Sequence, residues 1–103
     1  MIIALVFQGN HISRNYGRSE GVKIYNISNN KIVSTKTIMN ADIKGGEIAS
    51  LLAAYNVEIV IVGGIGEFAL QNLHSLKIKV ISGIEGEINY VLKNFCENNI
   101  NMI

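Results

Sequence analysis

The sequence predicts an α/β fold, a mixed five-stranded sheet in the order β-β-β-α-β-α-β-α with helices on its faces. One observation is that residues 22–38 hold two strand-like segments around the asparagine-rich turn 28–30, which is typical of an antiparallel hairpin. The other is that apolar β-branched runs then alternate with helical patterns, which is typical of parallel strands joined by helices. At 103 residues, the range 1–103 is interpreted as one domain.

The first half of the chain supplies three strands. Residues 2–7 form an apolar run that predicts the first strand, and residues 8–20 follow as a long polar loop. The segments 22–27 and 31–38 are the two strands of the hairpin, since both carry β-branched residues and alternate at least in part.

The second half alternates helices and strands. Gly45-Gly46 precedes a helix that ends at Asn56, and the strand 57–62 follows. Because that strand is apolar on both faces, it belongs in the buried middle of a parallel sheet, beside the first strand. A helix over 66–75 and a short strand over 77–81 come next. A final helix carries a core-facing stripe, and the tail after it is expected to fray; the stripe is Ile88, Val91, Leu92 and Phe95.

Three loops follow the carboxyl ends of the parallel strands. They are the loop 8–20 and the turns 63–66 and 82–86. In open α/β sheets, ligands bind at this edge, where the strand order reverses. We therefore expect the three loops to meet there.

The glycine turn Gly63-Gly64-Ile65-Gly66 separates a buried strand from a helix. Glycine allows a sharp turn with uncovered N–H groups, and a helix N-terminus adds positive charge, so the turn predicts an anion site at Gly63, Gly64 and Gly66. On that interpretation, Gly64→Val impairs binding more than folding. The alternative is that the glycines only make a tight turn.

The loop 8–20 is locally basic in a chain whose net charge is only +1. It contains His11, Arg14 and Arg18, with Glu20 as its only acid. Together with the glycine turn, these residues predict an anionic ligand. The alternative is a solvated loop whose charges do not act together.

Composition argues against several functions. Cys96 is the only cysteine, so the chain forms no intrachain disulfide and a reducing cytoplasm is the simplest location. One cysteine and two histidines are also too few ligands for a closed zinc site. Asp42 is the only aspartate, which argues against magnesium-dependent nuclease or phosphotransferase chemistry. The net charge and the absence of a long apolar run argue against nucleic-acid and membrane partners. We expect His74 to cap the second helix and Cys96 to be a small core or semi-core residue.

Several segments resemble the motifs of one known family. Asn15-Tyr16-Gly17-Arg18 stands where that family commonly has His-Phe-Gly-Arg, and residues 57–66 match its V-x-x-V-I-x-G-G-I-G pattern. Residues 45–54 and 78–86 resemble its glycine-led helix and its I-K-V-x-x-G-x-x-G segment. Over nearly its whole length, the chain thus resembles the nitrogenase iron–molybdenum cofactor biosynthesis family, the small domain of NifX, of NafY and of the C-terminal end of NifB.

The resemblance implies a ribonuclease-H-like fold without nuclease chemistry. It also implies that an iron–sulfur or iron–molybdenum cluster, or its precursor, is the cofactor to be bound. Such clusters are anionic, in agreement with the basic loop and the glycine turn. The predicted cofactor-binding residues are His11, Arg14, Asn15, Gly17, Arg18, Gly63, Gly64 and Gly66.

One departure from the family pattern affects the expected metal ligand. Asn15 occupies the position at which the family motif has a histidine. An amide is a poorer iron ligand than an imidazole or a thiolate. His11 lies four residues upstream in the same loop and is therefore the candidate metal ligand, with Arg14 and Arg18 balancing the cluster charge. The alternative is that His11 is merely exposed.

Two functional hypotheses follow. The first is a non-enzymatic, cytoplasmic domain that binds or carries a cluster and exchanges it with a cluster-donating or cluster-accepting protein. The second is a small-anion-sensing or protein-interaction module on the same fold, not linked to nitrogenase. Asn15 and the lack of a cysteine at the predicted site favour the second.

Overall fold

The computed structural model describes residues 1–43 and 47–98. The six strands of this part are β1 (Ile2–Gln8), β2 (His11–Ile12), β3 (Gly21–Ser28), β4 (Lys31–Met39), β5 (Ile59–Ile61) and β6 (Lys79–Ile81). The helices are α1 (Ile48–Ala54), α2 (Glu67–Ser75) and α3 (Ile88–Asn98), with single 3₁₀ turns at Tyr16–Arg18 and Asn40–Asp42. The predicted helix start at Gly45-Gly46 lies outside the described residues, as does the predicted frayed tail 98–103 except for Asn98, which ends α3.

The sheet has the strand order β4-β3-β1-β5-β6. β1, β5 and β6 are parallel, while the hairpin of β3 and β4 joins β1 in antiparallel pairing. The predicted mixed α/β sheet, with the first strand beside the buried strand after the first helix, is confirmed. These pairings bring the ends of β1, β5 and β6 to one edge.

The predicted number of five strands is wrong, because a sixth strand lies within the supposed loop 8–20. β2 turns back on the end of β1, where Ile12 pairs with Phe7 and His11 with Gln8. Gly9 in the connecting turn has a φ of 60°, a left-handed conformation that glycine adopts without steric cost. A two-residue strand shows no periodicity, so the sequence pattern did not indicate it.

Helices cover both faces of the sheet, as predicted. On one face, Ile3 and Leu5 of β1 pack with the apolar stripe of α3, and all four predicted stripe residues are buried. On the other face, Ala4 and Val6 pack with buried residues of α1 and α2. Successive residues of β1 therefore serve opposite faces, which explains why this strand is apolar throughout.

Asparagines shape two of the connections. Asn29 and Asn30 link β3 to β4 with φ angles of 54° and 62°, and Asn56 follows α1 with a φ of 61°. Asparagine tolerates this left-handed conformation better than most residues, which confirms the predicted turn and helix end. No helix of the described part is long and apolar enough to cross a membrane.

Candidate ligand site at the carboxyl ends of the parallel strands

Backbone hydrogen bonds join the three loops at the carboxyl ends of β1, β5 and β6. The N–H of Gly63 donates to the carbonyl of Ser13 at 2.8 Å, and the N–H of Gly83 donates to the carbonyl of Gly63 at 2.8 Å. The N–H of Ile12 donates to the carbonyl of Gly86 at 2.9 Å. The predicted meeting of the loops at one edge is confirmed.

Gly63 and Gly64 lie against the backbone of the loop that follows β2. A Cβ on Gly63 would lie 2.8 Å from the carbonyl oxygen of Ser13 and 2.9 Å from the Cα of Arg14. A Cβ on Gly64 would lie 2.7 Å from the carbonyl oxygen of Arg14. Both glycines are therefore required by close backbone packing, so Gly64→Val is expected to disturb the fold as well as any ligand site.

The expected open N–H groups of the glycine turn are found only in part. The N–H of Gly63 is not open, because it is bonded to Ser13. Gly66 differs from the other two, since no heavy atom of the described residues lies within 4 Å of its ideal Cβ. It is the N-cap residue of α2 and supplies no side-chain cap, while Glu67 in the first turn places a negative charge at the positive end of this helix.

Asn15 has a local structural role. Its side-chain oxygen accepts hydrogen bonds from the N–H groups of Gly17 at 2.9 Å and Arg18 at 3.1 Å, and thereby caps the short 3₁₀ turn. The buried hydroxyl of Ser13 donates to the carbonyl of Asn15 at 2.9 Å and accepts from its N–H at 3.1 Å. These bonds fix the loop beside the glycine turn and occupy the Asn15 oxygen that a metal would need.

A cavity of about 230 Å³ opens at this edge, and we call it the strand-end pocket. It is lined by Arg14, Gly63, Gly83 and Glu85. One basic residue, one acidic residue and two glycines therefore surround one small space. Sequence reasoning missed Glu85, although it is the only acid between the predicted glycines of the turn 82–86.

The other predicted site residues do not line this pocket. His11 is exposed on β2, pairs with Gln8 and bridges to Glu87. Arg18 is exposed on the 3₁₀ turn. Among the described residues, no group of three histidine, cysteine or acidic side chains is arranged to hold a metal ion. The role of His11 as a metal ligand stays a prediction.

Cys96 and His74 lie elsewhere. Cys96 packs against the core on α3 and borders a separate cavity with Met1 and Ile27. Burial, and to a lesser extent the neighbouring Glu97, raises the pKa of its thiol. His74 is exposed in the last turn of α2, the helix end at which it was expected. Neither side chain lines the strand-end pocket.

The fold and the pocket define a small α/β domain with a cavity at the carboxyl ends of its parallel strands. Over residues 1–98 the chain matches the family described as "Dinitrogenase iron-molybdenum cofactor", and it belongs to that family. The resemblance inferred from the sequence motifs is therefore confirmed. No curated protein matches the chain.

Several solved structures share the fold. The protein PH0822 has 22% sequence identity and a TM-score of 0.86, and the match covers 99% of this chain and 97% of that one. MJ0327 of Methanocaldococcus jannaschii, described provisionally as a dinitrogenase, has 24% identity and a TM-score of 0.80 over 95% and 89% of the two chains. The apo form of the orange protein from Desulfovibrio gigas has 20% identity and a TM-score of 0.80 over 99% and 92%. At these identities the likeness shows the fold alone.

Proposed function

We propose that this chain binds and carries an iron–sulfur or iron–molybdenum cluster, or a precursor of one, at the strand-end pocket and catalyses no reaction. The observation that carries the proposal is membership, over residues 1–98, of a family named for the iron–molybdenum cofactor. The pocket supports it, because it lies at the edge where α/β sheets bind ligands. The strand order β4-β3-β1-β5-β6 also suits the ribonuclease-H-like fold that the resemblance implies.

The charges near the pocket suit an anionic cargo. The basic residue Arg14 lines the pocket, and α2 begins at the adjacent glycine turn, where Glu67 offsets part of the positive helix end. A guanidinium and a helix N-terminus both favour negative charge. Arg18 lies on the neighbouring 3₁₀ turn and adds a second positive charge to this edge.

The residues fit a preassembled cluster better than a bare metal ion. A bare ion needs several protein ligands, and the described residues offer no group of three. A cluster brings its own sulfides, so that one protein ligand and surrounding positive charge can hold it. Among the residues that line the pocket, Glu85 alone has a side-chain atom suited to bind iron or molybdenum. We therefore favour Glu85 over His11 as the metal ligand.

Removing the positive charge of Arg14 is expected to weaken cluster retention. The test is anaerobic incubation with a synthetic iron–sulfur or iron–molybdenum cluster, followed by desalting and analysis of iron, molybdenum and sulfide. We expect Arg14→Gln to retain at least about threefold less cluster than the wild type, because a charge-assisted contact is lost. Lys31→Gln is the matched control, since it removes one exposed positive charge from the hairpin at the other end of β3. Equal loss in both variants would mean that only net charge matters.

The identity of the metal ligand is tested by a second pair of variants. We expect Glu85→Gln to lower cluster retention about tenfold, because the neutral amide is a weaker ligand than the carboxylate. His11→Ala should leave retention within about twofold, because His11 does not line the pocket. If His11→Ala lost more cluster than Glu85→Gln, His11 would be the ligand instead. Higher retention in Glu85→Gln would mean that Glu85 repels the cluster.

A small-anion-sensing module is the second candidate. The observation that favours it is the lining of the pocket, which combines one basic residue with one acidic residue and contains no cysteine. A wild-type protein that retains no cluster but gives saturable shifts of its Gly63 and Gly83 amide signals with molybdate or phosphate would support this candidate.

Cluster carriage, the first candidate, also requires a second protein that donates or accepts the cluster. The single cysteine agrees with a reducing cytoplasm as the location.

A further inference from the structure

A second cavity, of about 280 Å³, lies between β3 and the start of α3, and we call it the β3–α3 cavity. It shares no lining residue with the strand-end pocket. Apart from Ile88, the described residues that line it have polar side chains. They are Asn10, Lys23, Tyr25, Glu87 and Asn89. The cavity thus combines one basic and one acidic residue with neutral hydrogen-bonding groups.

Backbone contacts join two of the segments that line this cavity. The N–H of Ile88 donates a hydrogen bond to the carbonyl of Asn10 at 2.8 Å, and Glu87 forms a β-bridge with His11. The start of α3 is therefore held against the turn between β1 and β2. Because this part of the lining is in place without a ligand, little ordering is needed when a ligand binds.

Lys23 supplies the positive charge of the cavity. It is half-buried on β3, where its ammonium donates a hydrogen bond to the hydroxyl of Thr37 at 3.3 Å and lies 4.8 Å from the ring centroid of Phe7. Both neighbours are neutral, so they position the ammonium without cancelling its charge. An ammonium has three donors, and the bond to Thr37 uses one of them. The others are available to a negatively charged group.

Tyr25 adds a neutral donor two residues along β3, on the same face of the sheet as Lys23. The residue is only 5% exposed, and burial raises the pKa of its phenol, so the hydroxyl keeps its proton at physiological pH. Within the described part of the protein, this hydroxyl has no hydrogen-bond partner, and it is not one of the unpaired atoms shut off from solvent. It can therefore donate to a molecule in the cavity that Tyr25 lines.

We propose that the β3–α3 cavity binds a small zwitterion of the α-amino-acid type. Its carboxylate accepts from Lys23 and Tyr25, and its ammonium pairs with the carboxylate of Glu87. The amides of Asn10 and Asn89 suit a side chain that forms hydrogen bonds. Since a cavity of about 150 Å³ holds benzene, one of about 280 Å³ that opens to solvent takes a molecule of roughly ten non-hydrogen atoms. This site does not depend on cluster binding at the strand-end pocket.

The test compares three related probes on the wild-type protein without cluster. L-glutamine has the expected size and both charged groups, glutaramate lacks the α-ammonium, and 4-aminobutanamide lacks the carboxylate. Titrations followed by the side-chain amide NMR signals of Asn10 and Asn89 should show that L-glutamine binds at least about tenfold more tightly than either analogue, because each analogue loses a charge-assisted contact. An analogue that bound as tightly as L-glutamine, or unchanged signals at both asparagines, would overturn the proposal.

Three variants connect the preference to the residues. Lys23→Met should weaken L-glutamine and glutaramate about tenfold but spare 4-aminobutanamide, whereas Glu87→Gln should weaken L-glutamine and 4-aminobutanamide but spare glutaramate. Tyr25→Phe keeps the ring and should weaken L-glutamine about fivefold, the effect expected of one net hydrogen bond. Lys79→Met is the matched control, because Lys79 is exposed on β6 at the far edge of the sheet. Equal losses of L-glutamine binding in the two lysine variants would contradict the proposal.

Discussion

Ile61→Ala is expected to lower the free energy of unfolding by about 2–5 kcal/mol. Ile61 is 0% exposed and lies on β5, between Leu5 of β1 and Ile81 of β6. Truncation removes apolar contacts and leaves a space that the flanking strands and α3 cannot easily fill. A domain of this size has only about 5–15 kcal/mol of stability, so the variant loses much of it.

Urea denaturation of the wild type and the variant measures this loss. Ile32→Ala is the matched control, since the same atoms are removed from a side chain that is 46% exposed on β4. The control should cost less than about 1 kcal/mol. A loss below about 1 kcal/mol for Ile61→Ala would contradict the central position of β5.

Gly63→Ala is expected to destabilise the protein by about 1–3 kcal/mol. The added methyl group would meet backbone atoms of Ser13 and Arg14 at 2.8 and 2.9 Å, and backbone cannot rotate away as a side chain can. The loop after β2 must then shift, and the hydrogen bond from Gly63 to Ser13 weakens with it. The strand-end pocket should widen as a result, because Arg14 and Gly63 both line it.

Gly66→Ala is the control within the same turn. Apart from its own chain neighbours, no described residue has a heavy atom within 4 Å of the ideal Cβ at Gly66, so its substitution should change stability by less than about 1 kcal/mol. Thermal or urea denaturation of the two variants gives the comparison. If Gly63→Ala unfolded like the wild type while losing cluster, the glycine would serve the ligand and not the packing.

The sheet could be predicted from the sequence because its signals are local. The run at 57–62 is apolar on both faces, which only a central strand requires, and the stripe on α3 repeats at helical spacing. The asparagine turn between β3 and β4 follows from the backbone preference of one residue type. β2 lacked such a signal, since its pairing depends on the tertiary position of β1.

The site could be predicted in position but not in detail. Topology alone brought the three loops to one edge, whereas the packing of Gly63 on Ser13 is a contact between distant segments that no local pattern reports. Asn15 was different, because an asparagine followed by Tyr-Gly-Arg is a sequence in which the side chain can cap the next N–H groups. That signal was present in the sequence, but Asn15 was considered only as a replacement for the histidine of the family motif.

The central claim is that a cluster binds at the strand-end pocket, and paramagnetic NMR tests it most directly. A reduced [4Fe–4S] cluster carries an unpaired electron and broadens nearby amide signals. After anaerobic loading, the account predicts broadening at Arg14, Gly63, Gly83 and Glu85, with sharp signals at the hairpin turn around Asn29. Broadening centred on Cys96, or unchanged spectra at full cluster concentration, would contradict it.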